Sequence, residues 1–317
     1  MDHAVGRDQL ARRGWSARTM TEGDEVATMN TVNDQERAHV AAGTAAIAAG
    51  VVVRDVTELT DLEAVYRLFD GIWRPSPDNP PVTTQMLRAL SKAGNYVSGA
   101  FDGLALVGAC VGFLGAPVGH VLHSHIAGVA SGALGRHVGF ALKLHQRAWA
   151  MARGIGEVEW TYDPLVARNA YFNITKLGAL PSEYLANFYG DMTDDINGGD
   201  DTDRILIRWD LGSSAVVDAC AGQPRPGDVE AELARGAVVA LGRTSHGWPV
   251  PGSTEGETLM VAVPRDVESL RSVDPGAAKE WRVAVREVLG AALAGGGRVT
   301  GFDRAGWYVV TNGEGTS

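Results

Sequence analysis

The sequence predicts an α/β fold built on a mixed, mostly antiparallel sheet flanked by helices, followed by further α/β structure. Three observations predict it. Short β-branched or alternating runs, among them "VVVRDVT" (51–57), "NYVSGAFDG" (95–103) and "ALVGACVGFLG" (105–115), alternate with stretches of helical periodicity. Asp102-Gly103, between two such runs, marks a tight hairpin because both residues accept the turn's unusual dihedrals. Third, "VGHVLHSHIAGVA" (118–130) passes through a glycine-bearing turn into the helical "GFALKLHQRAWAMARG" (139–154) and then the strand "EVEWTYDP" (157–164), which is a crossover unit.

The remaining elements follow in order. Residues 1–49 are polar and mixed in charge; only "HVAAGTAAIAAG" reads as helical, so this part is expected to be a loosely attached extension, disordered near its start. In "ELTDLEAVYRLFDGIW" (58–73), Leu62, Val65, Leu68, Phe69 and Ile72 share one helical face, and the prolines of "RPSPDNPPV" end the helix. "TTQMLRALSKAG" (83–94) is a second short helix, with Thr83 or Thr84 as N-cap and Gly94 as stop. After the crossover, "LVARNAYFNITKLGA" (165–179) is helical, and "SEYLANFYG" and "DRILIRWDL" are strands. Beyond Ser213 the pattern loosens. "TLMVAVP" is a strand, the long run "DPGAAKEWRVAVREVLGAALAGG" a helix, and "RVTGFDRAGWYVV" a closing strand pair, while "VEAELARGAVVAL" fits either state. The expected division is an extension (1–49), a core domain (50–211) and a C-terminal α/β extension packing on it (212–317).

The chain has 317 residues, 45% hydrophobic and 21% charged, a globular profile. A formal net charge of −10 argues against nucleic acid or an anionic membrane as partner. Cys110 and Cys220 make no disulfide framework and no metal-ligand spacing, and no metal is expected. The first residues lack the apolar centre of a signal peptide, and no run approaches the ~20 apolar residues of a membrane span. A cytoplasmic location is the expectation.

The segment "GVASGALGRHVGFALKLHQRAWAMARG" (128–154) carries the functional signal. The first amides of a helix have no internal partner, and the helix dipole adds partial positive charge there. Gly135 and Gly139 allow close backbone approach, and Arg136 brings a guanidinium suited to phosphate oxygens. A phosphate-bearing ligand fits such a turn.

Arg136-His137-Val138-Gly139-Phe140-Ala141 matches the R/Q-x-x-G-x-G/A pattern of the GNAT acyltransferase superfamily, and it stands between a strand and a helix as that pattern does. The element order over residues 50–211 resembles the GNAT fold. Segments such as "LFDGIW", "LHSHIAGV" and "WTYDPLVARNAYFNITKLGA" are similar to a group of predicted GNAT-superfamily acetyltransferases whose functions are little defined. The resemblance implies binding of acetyl-CoA or another acyl-CoA. Its diphosphate would sit on the amides of Leu134, Gly135, Arg136, His137, Val138, Gly139 and Phe140. Its pantetheine arm would pair with the strand edge that includes Ile126, Gly128 and Val129, in a slot opening towards "EVEWTYDP". Arg168, Asn169 and Asn173 are further coenzyme contacts.

The chain departs from the family in two respects. The early asparagine of the helix after "EVEWTYDP" is displaced by one place to Asn169, with Arg168 in the usual slot. The helical tyrosine that normally protonates the departing thiolate corresponds to Ile174, and Tyr171 or Asn173 could stand in. His123 and His125 alternate on a strand and so project to one side, offering a base and an orienting partner near neutral pH. Asp163 fits a helix cap, Trp73, Trp160, Trp209 and Trp281 core or cleft-wall positions, and Arg282 and Arg286 a solvated or ion-paired stripe. The acidic "NFYGDMTDDINGGDD" reads as a solvated turn. The function implied is acyl transfer from acyl-CoA to a small-molecule amine, and a homodimer is admitted. Acyl-CoA chemistry of another kind, such as decarboxylation or transfer of a larger acyl group, and a non-catalytic CoA-binding module stand as alternatives.

Overall fold

A computed structural model describes residues 22–75, 80–117, 119–190 and 200–313, with side chains from Val32 onward. Helix α1 (Glu22–Ala49) leads into strand β1 (Val52–Asp55), helices α2 (Leu59–Trp73) and α3 (Thr84–Lys92), and strands β2 (Val97–Asp102), β3 (Ala105–Leu114) and β4 (Val121–Val129). Helix α4 (Val138–Met151), strand β5 (Glu157–Tyr162) and the short helix α5 (Ala167–Ala170) follow, the last continued by a π-helical turn (Tyr171–Lys176). Strands β6 (Leu180–Leu185) and β7 (Arg204–Asp210) close a seven-stranded sheet of order β1-β2-β3-β4-β5-β7-β6. Every neighbouring pair is antiparallel except β4 with β5. The expected mixed, mostly antiparallel sheet flanked by helices is therefore what the chain forms.

The C-terminal part adds α6 (Ser214–Cys220), α7 (Val229–Ala234), β8 (Val238–Arg243), β9 (Pro249–Pro251), β10 (Thr258–Ala262), α8 (Val267–Val273), α9 (Pro275–Val285), α10 (Ala291–Ala294), β11 (Arg298–Asp303) and β12 (Trp307–Thr311). Its five strands form a second sheet of order β11-β12-β10-β8-β9. The ambiguous run 229–241 resolves as helix then strand, because Asp228 caps α7 through the Ala231 amide and the β-branched Val238-Val239 pair joins β10.

Two cores sandwich the first sheet. On one face Leu62, Val65 and Phe69 of α2 and Leu87 of α3 pack on Val97, Ala109 and Val111. On the other, α4 packs on Cys110, Leu122 and Val158. The loosely attached extension is corrected over residues 33–49. Ala38, Ala42, Ala45 and Ala49 of α1 are buried against α4, their small side chains letting the two helices approach closely. Leu142, Leu144, Lys143, Gln146, Arg147 and Trp149 are all buried in consequence, so α4 has little polar face. Among the described residues no helix is long and apolar enough to cross a membrane.

A buried ion cluster ties the two sheets together. Arg282 of α9 reaches Asp163, just past β5, at 2.8 and 2.9 Å and Asp200 at 2.9 Å, while Arg271 of α8 reaches Asp163 at 2.7 Å. Asp163 also accepts from the Leu165 amide, but α5 begins at Ala167 with Val166 as its N-cap, so the expected cap is not formed. Arg286 pairs with Asp201 and Asp203. The expected stripe is thus ion-paired, and Arg282 is buried rather than solvated. The acidic run expected as a solvated turn contributes Asp200 and Asp201, with Asp203 just beyond it, while 191–199 lie outside the described residues. Burial pushes the Asp163 carboxyl up, but the hydrogen bonds and charges of Arg282 and Arg271 outweigh it and hold it well below the usual carboxylate range.

Such a cluster fails when one member is neutralised, because the remaining charges stay buried. Asp163→Asn should cost about 3–5 kcal/mol in urea denaturation at neutral pH. A carboxyl with a depressed native pKa stabilises the fold above its unfolded value of about 3.9 and loses that contribution as pH falls below it. The gap between wild type and Asp163→Asn should therefore narrow on acidification below about pH 4.

Candidate active site

The geometry that matters lies where β4 and β5 stop pairing. Val121, Leu122 and His123 face Glu157, Val158 and Glu159, and there the parallel ladder ends. Beyond it β4 stays bonded to β3 as far as Val129 while β5 stays bonded to β7 as far as Tyr162. The two strands part, and the facing edges of 124–129 and 160–162 have no strand partner. A bulge assists the parting: Ser124 faces Gly112 and Ile126 faces Val111, which leaves His125 as the extra residue on β4.

The open edge of β4 runs on, through a single 3-10 turn (Ser131–Ala133), to the start of α4. Gly135 has φ +79°, a left-handed conformation that glycine accepts without strain, and His137 has φ 63° as N-cap with no side-chain cap hydrogen bond. The first amides of α4 are thus left without a side-chain partner. Gly139 is informative. A Cβ there would meet only Val129, at 3.8 Å, so nothing in the chain itself requires glycine. A glycine in a helix costs about 0.5–1 kcal/mol against alanine. Gly128 differs: a Cβ would collide with Ile72 and Trp73 at 2.7 and 2.8 Å, so the end of α2 packs directly on β4.

Two predicted coenzyme contacts have carboxylate partners in this structure. The Arg136 guanidinium turns away from the turn amides to Asp102 at 2.9 Å and to the carbonyls of Ala49 and Gly50 at 3.3 and 3.4 Å, where it satisfies the C-terminal end of α1. Arg168 makes a two-pronged pair with Glu268 of α8 at 2.5 and 2.6 Å. In both cases a neighbouring carboxylate competes for the cation. Tyr171 has its ring beside Arg304 of the β11–β12 turn, which places it against the C-terminal part. Asn169 is exposed. Asn173 lies in the π-helical turn, is 4% exposed, and its side chain has no hydrogen-bond partner among the described residues. Ile174, at the family's tyrosine position, is packed in the core.

The histidines do come together. The His123 and His125 rings are 6.5 Å apart, and Phe113 packs against both, at 5.0 and 5.9 Å. His123 Nδ1 lies 3.4 Å from Glu159 Oε1, across the last rung of the ladder. Burial, and next the neighbouring His123, lower the His125 pKa, against an opposing hydrogen bond to the Pro81 carbonyl. His125 is therefore unprotonated at neutral pH.

On the opposite face, sequence reasoning misses a group. Lys143 Nζ is buried between α4 and the sheet, 2.9 Å from Ser124 Oγ, 3.0 Å from Gln146 Oε1 and 3.7 Å from the centroid of the Trp160 ring. Cys110 completes this network through Ser124 and Gln146, so it is more than a small apolar filler. Burial pushes the lysine down to about 8. The signal for Lys143 is a lysine between Leu142 and Leu144; it is hidden because a single cation in an amphipathic pattern normally marks the wet side, whereas Nζ here turns inward to Ser124 and Trp160 of the sheet. Glu159 is missed because alternation in "EVEWTY" marks it simply as the solvent-facing residue.

No protein-family model and no curated protein sequence matches the chain. Solved structures do. It is similar to a ribosomal-protein-alanine N-acetyltransferase from Brucella melitensis (18% identity, TM-score 0.43, covering 50% of this chain and 98% of that one). It is similar to yncA from Salmonella typhimurium, crystallised with its cofactor acetyl-CoA (16%, 0.43, 54% and 99%). A third is an acetyltransferase of the GNAT family from Streptococcus pneumoniae (12%, 0.41, 50% and 97%). At such identities no residue role is carried across.

The Lys143 burial has a measurable consequence. Between pH 8 and the ordinary lysine value of 10.5 the unfolded chain holds a proton that the native state has released, so native stability rises with pH across that window. Lys143→Met removes this slope. The stability of the variant relative to wild type should fall by about 3 kcal/mol from pH 8 to 10.5 in denaturant titrations.

Proposed function

We propose that this chain is an acyl-CoA-dependent N-acyltransferase, transferring an acyl group, acetyl in the simplest case, to a small-molecule amine. The observation that carries the proposal is the continuous path from the β4–β5 fork, along an unpaired β4 edge, to an uncapped, glycine-bearing helix start. One edge offers backbone pairing for an extended arm with amides; the other end offers amides and a dipole to a diphosphate. Acyl-CoA has both in that order, and when bound it brings an acyl group activated as a thioester.

The chain's own residues supply the rest. The amides from Gly135 to Phe140 hold the anionic end, with Val138, Gly139 and Phe140 contributing the helix start, whereas the Leu134 amide, also expected there, donates to the Ser131 carbonyl. Ile126, Gly128 and Val129 align the arm, and the unpartnered Asn173 side chain adds a donor beside it. His123, oriented by Glu159, takes the proton that the attacking amine must lose, and His125 keeps a second neutral imidazole within the same wall. The acceptor enters over the Phe113–His123–Glu159 face, since α4 and α1 close the other.

Two measurements check this. Mixing the protein with acetyl-CoA and longer acyl-CoAs should release free thiol only when a small amine is present; release without amine, or loss of carbon dioxide instead, contradicts transfer. His123→Ala should lower turnover by about 10²–10⁴-fold with CoA affinity unchanged. For the coenzyme site, Gly139→Ala should act in opposite directions. Stability rises by about 0.5–1 kcal/mol because alanine favours the helix, while CoA affinity in calorimetry falls at least tenfold. Unaltered affinity would move the diphosphate away from α4.

A further inference from the structure

The fork has two faces, and the proposed reaction uses only one. His123 and Glu159 form the last rung on the α2–α3 face. The next residue on each strand is Ser124 on β4 and Trp160 on β5, and both turn to the α4 face, where Lys143 Nζ touches them together. A cation is thus held at the mouth of the fork from the side opposite the histidines. Its partners are a hydroxyl, an amide oxygen and an aromatic ring; no carboxylate neutralises it among the described residues. Cys110, the other titratable group of the network, has its thiol pushed up by burial and is neutral. A buried, uncompensated ammonium is costly, and the fold retains it although Met would fill the same volume.

We propose that Lys143 receives the departing CoA thiolate at the fork, as the proton donor that Ile174 cannot be. This rests on the acyl-transfer reading above. The amine nitrogen bonds to the acyl carbon from the His123 face, the carbon–sulfur bond breaks with its electron pair on sulfur, and a proton passes from Lys143 Nζ to give the free thiol. The proton lost by the amine goes to His123, and water returns one to Lys143. The lowered lysine value of about 8 suits such a donor, since a proton held near neutrality is given up readily. Ser124 and Gln146 are positioning residues that fix Nζ between the strands.

The test reads the bound thiol itself. Free CoA thiol bound to the wild-type protein is titrated by the ultraviolet absorbance of the thiolate, alongside Lys143→Met and Lys143→Gln, the latter keeping a hydrogen-bonding group without charge. The thiol should titrate about 1–3 pH units lower on the wild type than on either variant, the effect of a nearby positive charge. CoA affinity should stay within about threefold, and amine-dependent turnover should fall by about 10²-fold or more. A thiol that titrates alike on all three proteins, or at its ordinary value on the wild type alone, overturns the assignment even if a variant fails to fold. CoA that does not bind the wild type at all overturns the acyl-transfer reading instead, and the lysine's role with it.

Discussion

The structure turns on the early end of one parallel strand pairing. A parallel pair inside an otherwise antiparallel sheet must be joined by a crossover helix, and α4 is that helix. If β4 and β5 stayed paired along their full length, the sheet would be continuous and the start of α4 would face a closed wall. Because the ladder stops at His123 and Glu159, with a bulge at His125, backbone groups are left open in the middle of the molecule. Unpaired backbone in such a place is costly unless something else completes it. A ligand that acts as a strand on one side and as an anion at the end resolves both demands.

The surroundings brace that opening from three directions. Trp73 and Ile72 press on Gly128 and fix the far end of β4, while α1 seals α4 from behind and receives Arg136 at its C-terminal carbonyls. On the β5 side, Asp163 sits directly after the strand and is clamped by Arg282 and Arg271 from the second sheet. The C-terminal part therefore anchors β5 where it diverges from β4, and it pairs Arg168 with Glu268 and sets Arg304 beside the Tyr171 ring.

Much of this was legible in the sequence, for definite reasons. The Asp102-Gly103 hairpin, the prolines after Trp73 and the glycines before α4 are local signals, and each element they mark is present. The His123–His125 pairing followed from strand alternation; the bulge alters the strict register, yet Phe113 still gathers both rings on one side. What the sequence does not carry is the identity of long-range partners. A sequence cannot show that Asp102 and Glu268 will compete for Arg136 and Arg168, because those contacts span long separations and different elements. Nor can it show that α1, polar in composition but lined by alanines every three or four residues, will pack on α4, or that Lys143 will turn inward to Ser124 and Trp160 of the sheet.

The central claim is that the β4 edge and the α4 start form one continuous ligand track. Backbone amide hydrogen exchange with and without CoA tests it most directly, since it reads those groups themselves. The account predicts that CoA slows exchange together at Ile126–Val129 and at Gly135–Phe140, with little change in the second sheet. Protection at neither segment, or at sites confined to the second sheet, would contradict it.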